Sequence, residues 1–325
     1  IYKALVLLVV ACPCALVIST PVAIVSALGV AARQGILIKS GVALEELSSV
    51  RSIIFDKTGT LTEGYPTVVE VVPAPGVDED ALVSAAAAVE SRATHPLADS
   101  LRRYARDRSL AVPEVAGFVS EPGLGVSGDV HGTRIWVGNE NHGANGTALP
   151  SVLDSARRRL EEAGCSVLYV GTDTGTLGII GVKDRPRPGV AEHIAELRSA
   201  GIRRMALLSG DSSHATQSLA SALGIPEAVG QLLPEQKRDA VTKWRNREPV
   251  AMVGDGINDA PALAAANVGI AMGAAGSDAA ISAADIALMG DDLGHVTDAL
   301  ILGRRAASVV RQNVAIALGL KAAFL

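Results

Sequence analysis

The feature that most restricts this chain is a seven-residue run, Asp56-Lys57-Thr58-Gly59-Thr60-Leu61-Thr62, which follows directly on Ile53-Ile54-Phe55. A short apolar run of β-branched and aromatic residues predicts a buried strand. A carboxylate at its end then projects from a turn whose backbone N–H groups can face a phosphate. An isolated Asp in such a place is ordinarily a cap or turn residue. Three further loops change that reading: Ser209-Gly210-Asp211, Pro234 to Lys237, and Gly254-Asp255-Gly256-Ile257-Asn258-Asp259. From Asp184 onward, helix patterns over 189–200, 214–223, 235–245 and 261–266 alternate with strand patterns over 205–208, 250–253 and 268–271. The alternation predicts an α/β fold with a parallel sheet, crossover connections, and its chemistry at the carboxyl ends of the strands.

The residue types in these loops fit one reaction. Asp56 is the candidate nucleophile toward the γ-phosphorus of ATP. Mg²⁺ held by Asp56 and Asp255 would offset the negative charge, and Lys237 with Thr58 or Ser209 would contact the transferred oxygens. Asn258 and Asp259 would complete the shell. The set resembles the haloacid-dehalogenase-like phosphoryl-transfer fold, a doubly wound parallel sheet. The unbroken DKTGTLT together with GDGINDAP resembles the P-type ATPases, which brings Lys57, Gly210 and Asp211 into the same site. Phosphatases of this fold usually carry an acid two positions after the nucleophile, where this chain has Thr58. The resemblance therefore implies an aspartyl phosphate that persists until an actuator domain with a TGE loop aligns water. No TGE occurs in the sequence.

Nucleotide binding has no G-x-x-x-x-G-K-[ST] to rest on. Gly123-Leu124-Gly125-Val126-Ser127-Gly128 spells G-x-G-x-x-G, but residues 129–137 read as hairpin and strand, so the dinucleotide reading fails its context. Residues 67–181 carry helix patterns at 78–89, 97–108 and 151–163 and strand patterns at 134–137, 167–171 and 177–182, as in an α+β module. Within it Glu90, His95-Pro96, Gly123, Gly125 and Gly138-Asn139 resemble the nucleotide-domain motifs of heavy-metal P-type ATPases, which implies an ATP site with His95 on the adenine or ribose side. Asp184 to Pro188 resembles the family's D-x-x-R-P hinge, with Arg187 as a structural or phosphate-neighbouring cation.

Composition completes the picture. Of 325 residues 49% are hydrophobic and 19% charged, with net charge −5, which excludes a disordered tail and a basic nucleic-acid binder. The mean hydropathy of +0.32 is high, and the excess sits at the two ends. Residues 4–32 hold no charge, roughly 43 Å of helix against the ~30 Å of a hydrocarbon core. A second apolar run covers 313–325. Without an initiator Met, the chain reads as a fragment of a membrane protein. Cys12-Pro13-Cys14 falls near mid-bilayer, where Pro13 opens the helix and two thiolates would need a soft or borderline cation. The CPC triplet resembles the heavy-metal transporters. Lys321 lies about 15 Å beyond Arg311 and so also near mid-depth. NVAIALGLKAAFL resembles the zinc, cadmium and lead exporters and lacks the Tyr-Asn pair of copper pumps. The resemblance implies export of Zn²⁺, Cd²⁺ or Pb²⁺, with Lys321 balancing charge at Cys12 and Cys14. A copper(I) exporter is the near alternative, and a membrane-anchored phosphatase or a nontransporting metal sensor are those of other classes.

The expected layout is a transmembrane helix over 1–32, a stalk over 33–50 and a phosphorylation domain over 51–66 and 182–302. A nucleotide domain is inserted over 67–181, and 303–325 begin the next membrane helix. The expected setting is a cell membrane with cytosolic catalytic domains. The expected partners are lipid, ATP, the transported ion, and an actuator domain and membrane helices outside this sequence, with no nucleic acid.

Overall fold

Runs of Val, Ile, Ala and Met with no polar alternation build strands that are buried on both faces, as parallel sheets demand. Ser52–Asp56, Val250–Gly254 and Val268–Ala271 are such strands, every residue of the first two buried. The computed structural model describes residues 14–93, 96–121, 123–139, 142, 149–256, 259–273 and 278–324. The chain divides into two compact units. One comprises Ile1–Asp56, Gly189–Ala206 and Pro234–Leu325, the other Lys57–Pro188 and Leu207–Leu233.

In the first unit the strands run in the order Ile36–Ile38, Ile286–Leu288, Val268–Ala271, Val250–Gly254 and Ser52–Asp56. Ser52–Asp56 pairs in parallel with Val250–Gly254, Phe55 opposite Val253, and the latter pairs in parallel with Val268–Ala271. This register brings the ends of the Asp56 strand and the Gly254 strand to one edge. Ile36–Ile38 closes the far side antiparallel to Ile286–Leu288. Neither was legible as a strand, because three residues carry too little periodicity. The helix Gly41–Ser49 starts where Ser40 accepts a hydrogen bond from the Ala43 N–H at 3.1 Å, an N-cap.

In the second unit, a six-stranded antiparallel sheet takes the order Thr67–Pro73, Gly175–Lys183, Ser166–Thr172, Thr133–Gly138, Gly125–Val130 and Ala116–Glu121. The helices Glu79–Val89 and Pro96–Asp107 bury Leu82, Ala86 and Leu101 in a cluster with Val126, Val137, Val170 and Ile180. The helix Ser151–Glu162 packs Leu153 and Leu160 against Tyr169, Ile179 and Cys165. The unit boundary departs from the expected layout. Residues 207–233, assigned by pattern to the phosphorylation domain, cluster with the insert, whose Gly164 lies against Ser218 of the helix Ser213–Leu223.

The expected span over 4–32 falls partly on residues 1–13, outside the described residues, and its remainder is the helix Cys14–Arg33 with Pro21 inside it. The run at 313–325 continues a 31-residue helix, Gly294–Phe324. Among the described residues no helix is long and apolar enough to cross a membrane.

Candidate active site

The parallel register delivers Asp56 to the end of a fully buried strand, and burial sets its chemistry. Asp56 is 4% exposed, Lys237 7% and Asp259 1%. The Lys237 Nζ donates to Asp56 Oδ1 at 2.5 Å and to Asp259 Oδ1 at 2.8 Å. Burial, then the neighbouring Asp259 charge, pushes the Asp56 carboxyl up to about 8 against the pull of Lys237, and Asp255 adds to the rise. Burial opposes the charge on Lys237, but Asp56 and Asp259 outweigh it and hold the ammonium above its ordinary range. Gly254 leaves room for this: a Cβ there would stand 3.1 Å from Asp259 Oδ2. That oxygen is buried with no hydrogen-bond partner. An unsatisfied carboxylate oxygen so placed is costly unless a cation meets it.

In the second unit the turn after Asp56 is held by its own contacts. Gly59 takes a left-handed φ of 74°, and a Cβ on Gly64 would come within 3.1 Å of the Gly59 Cα. Arg187 donates from Nε to Thr60 O at 3.0 Å and from Nη2 to Gly59 O at 2.7 Å, while its own N–H reaches Leu61 O. Of the two roles expected for Arg187, the structure supplies the structural one. Thr62 Oγ1 bonds Asp184 Oδ2 at 2.5 Å, and burial raises the Asp184 carboxyl. Lys57 pairs with Asp211, whose N–H donates to Ser209 Oγ at 3.1 Å. Ser209 is buried, and its hydroxyl still has a hydrogen to donate. Thr58, Lys57, Asp184 and Asp211 border a pocket of about 240 Å³.

A larger cleft of about 560 Å³ opens in the same unit. Glu90, Gly123, Gly125, Gly138 and Asn139 all line it, with Leu97, Val126, Leu168 and Tyr169 as apolar wall. The glycines are required by close backbone approach. A Cβ on Gly125 would stand 2.2 Å from Val137 O, and one on Gly138 would stand 2.4 Å from Leu124 O. Asn139 locks the loop, its Nδ2 donating to Gly123 O at 2.7 Å and its N–H to Leu124 O at 2.9 Å. Gly125–Val130 pairs antiparallel with Thr133–Gly138, so the G-x-G-x-x-G run opens a hairpin and no helix. Its failure as a dinucleotide motif thus holds in the structure.

Most expected site residues therefore gather into these groups. His95 and Asn258 lie outside the described residues, as does Cys12. Cys14 opens the helix Cys14–Arg33, and Lys321 sits half-buried in the helix Gly294–Phe324. Among the described residues no group of three or more His, Cys, Asp or Glu side chains is placed to hold a metal ion. The pattern missed the pairing of Asp184 with Thr62, and the Arg157–Glu161 pair at the cleft. Spacing of four on a helix announced the latter as an ion pair but not what it faces.

A family model described as a haloacid dehalogenase-like hydrolase matches residues 50–267. Over the whole chain the sequence is 45% identical to a zinc/cadmium/lead-transporting P-type ATPase of Escherichia coli, and over 99% of it 41% identical to a probable cadmium-transporting ATPase of Staphylococcus aureus. It spans 43% and 45% of those two proteins, less than half of either. A solved catalytic CPx-ATPase domain, CopB-B, matches 84% of the chain over 96% of its own length, at 30% identity and a TM-score of 0.65. The chain belongs to the CPx-type P-type ATPases. In that family it is also similar to a crystal structure of a zinc-transporting PIB-type ATPase in the E2.Pi state, at 45% identity and a TM-score of 0.71. That match covers all of this chain and 52% of the other. The doubly wound sheet with an inserted α+β module is the family's haloacid-dehalogenase-like core.

Proposed function

We propose that this chain is the catalytic part of a membrane exporter that uses ATP to move a divalent heavy metal, Zn²⁺, Cd²⁺ or Pb²⁺, through an aspartyl phosphate on Asp56. The observation that carries the reading is the buried group in which Lys237 bridges Asp56 and Asp259. Identity of 41–45% along the chain to proteins named as cadmium or zinc/cadmium/lead transporters supports the choice of cargo.

The chemistry follows from the side chains. An Asp56 oxygen attacks the γ-phosphorus in line, the bond from that phosphorus to the bridging oxygen breaks, and ADP leaves with its electron pair. Attack requires the carboxylate, and a carboxyl held up near 8 needs added positive charge to ionise fully at neutral pH. The donor chemistry suits Mg²⁺ with few protein ligands: Asp56 and Asp259 offer hard carboxylate oxygens, one of Asp259's is buried without a partner, and substrate phosphate and water would complete the shell, with Asp255 adding negative charge nearby. Bound there, Mg²⁺ would lower the Asp56 pKa and neutralise phosphate charge. Lys237 holds the Asp56 and Asp259 carboxylates side by side through its two hydrogen bonds. Thr58 offers no proton-transferring group, so the phosphoenzyme persists.

Adenine and ribose occupy the 560 Å³ cleft, whose apolar walls and glycine-backed floor suit a flat base. The test is ATP-driven uptake of labelled zinc into inverted vesicles carrying the whole transporter. Uptake that ATP supports and Asp56→Asn abolishes bears the proposal out. Zinc accumulation equal in Asp56→Asn and wild type contradicts it.

A further inference from the structure

Two arginines of the first unit converge where, among the described residues, no carboxylate meets them. Arg51 donates from Nη1 to Ser48 O at 3.1 Å and to Val50 O at 2.7 Å, closing the carboxyl end of the helix Gly41–Ser49. Arg304, from the long helix Gly294–Phe324, donates from Nη2 to the same Val50 O at 3.1 Å. Its Nη1 faces the backbone at Gly201, where a Cβ would stand 3.2 Å away. The Arg304 Nε is buried with no hydrogen-bond partner. A third arginine is close in the chain path, since the Arg203 N–H donates to Arg51 O at 2.7 Å.

Capping explains part of this arrangement, but the charges do not close. The end of a helix offers about half a negative charge, against two full positive ones. Among the described residues neither Arg51 nor Arg304 takes part in an ion pair. Burial, and then Arg51, lowers the Arg304 guanidinium from its ordinary value, so each cation feels the other. Two half-buried forks that share one carbonyl and meet no carboxylate among the described residues are a donor set that an oxyanion of phosphate geometry satisfies.

We infer that Arg51 and Arg304 form an anion site for a phosphate group, and that its natural occupant is the headgroup of an acidic phospholipid. The choice of source comes from the helix that carries Arg304. Seven residues on, two turns along the same face, stands Arg311, and beyond it Ile316 and Leu318 are 61% and 53% exposed. A helix that passes from arginines to exposed aliphatic side chains has the order of a segment entering a bilayer past its anionic surface. The lipid assignment rests on the membrane reading above, whereas the phosphate site does not.

The test reconstitutes the whole transporter in nanodiscs of phosphatidylcholine alone, of phosphatidylcholine with phosphatidylglycerol, and of phosphatidylcholine with inorganic phosphate added. Thermal midpoint and retained phospholipid, counted by native mass spectrometry, are read for wild type, Arg304→Gln and Arg51→Gln. The site predicts that phosphatidylglycerol raises the midpoint and is retained, with apparent affinity falling about tenfold in either variant. Stabilisation by inorganic phosphate alone, lost in the variants, upholds the phosphate site and overturns the lipid assignment. No stabilisation by either, or equal stabilisation of wild type and both variants, overturns the site. Asp56 phosphorylation, read in parallel, stays at the wild-type level in folded Arg51→Gln, so failure here is separable from failure of the transport reading.

Discussion

The Asp56–Lys237–Asp259 group and the cleft bordered by Gly123, Gly125 and Gly138 are organised by opposite means. In the first, buried charges are set against one another, and the net effect is a carboxyl whose pKa is pushed up to about 8. In the second, at Gly125 and Gly138, backbone is brought so close to backbone that only glycine fits, and a single Asn side chain ties the loop. Electrostatic sites fail when a charge is removed, because the partner stays buried and unpaired. Shape-defined sites fail by intrusion, when one added carbon occupies the space of the ligand or the floor.

The largest effect should come from Lys237→Met. It leaves Asp56 and Asp259 without their shared cation, so phosphoenzyme formation should fall by two orders of magnitude or more. Stability should drop by about 3–5 kcal/mol, the scale for breaking a buried pair, read by urea unfolding. A variant with full stability would mean that the lysine is not paired as described.

Gly125→Ala tests the other mode. Its φ of 157° and the 2.2 Å approach to Val137 O leave no place for a methyl group. Strain of about 1–3 kcal/mol should weaken ATP binding roughly five- to 150-fold. Calorimetric titration with a non-hydrolysable nucleotide reads it, and unchanged affinity would remove the loop from the site.

A third prediction concerns pH. The folded Asp56 pKa lies above its unfolded value near 3.9, so between about pH 4 and 8 the folded state binds the extra proton and stability falls as pH rises. Without Mg²⁺, the stability of Asp56→Asn relative to wild type should therefore rise steadily as pH rises from about 4 to about 8. Parallel curves would show that Asp56 is not raised. Asn139→Ala should be the mildest change, since it removes one hydrogen bond of about 0.5–1.5 kcal/mol and should cost two- to tenfold in nucleotide affinity.

How far each region was legible in the sequence follows from the same contrast. Asp56, Lys237, Asp255 and Asp259 were readable because parallel strands deliver their last residues to one edge, so separate loops can be placed together from the alternation of strands and helices alone. The glycines of the cleft were readable only through resemblance, because nothing in G-x-G-x-x-G states that its floor is Val137 O and Leu124 O. Asp184 was read as part of a hinge, since its partner Thr62 lies 122 residues away and no local pattern links them. The short strands Ile36–Ile38 and Ile286–Leu288 escaped because their pairing, more than their own composition, makes them strands. Arg304 meets Arg51 over the Val50 carbonyl, 254 residues back along the chain, and escaped for the same reason.

The most direct measurement is acid-quenched labelling of the whole transporter with γ-labelled ATP and Mg²⁺, with Zn²⁺, with Cu(I) and with chelator, in wild type and Asp56→Asn. Label should require Zn²⁺, be removed by hydroxylamine as an acyl phosphate is, and be absent from the variant. Label that persists in Asp56→Asn, or that forms equally in chelator, would contradict the proposal.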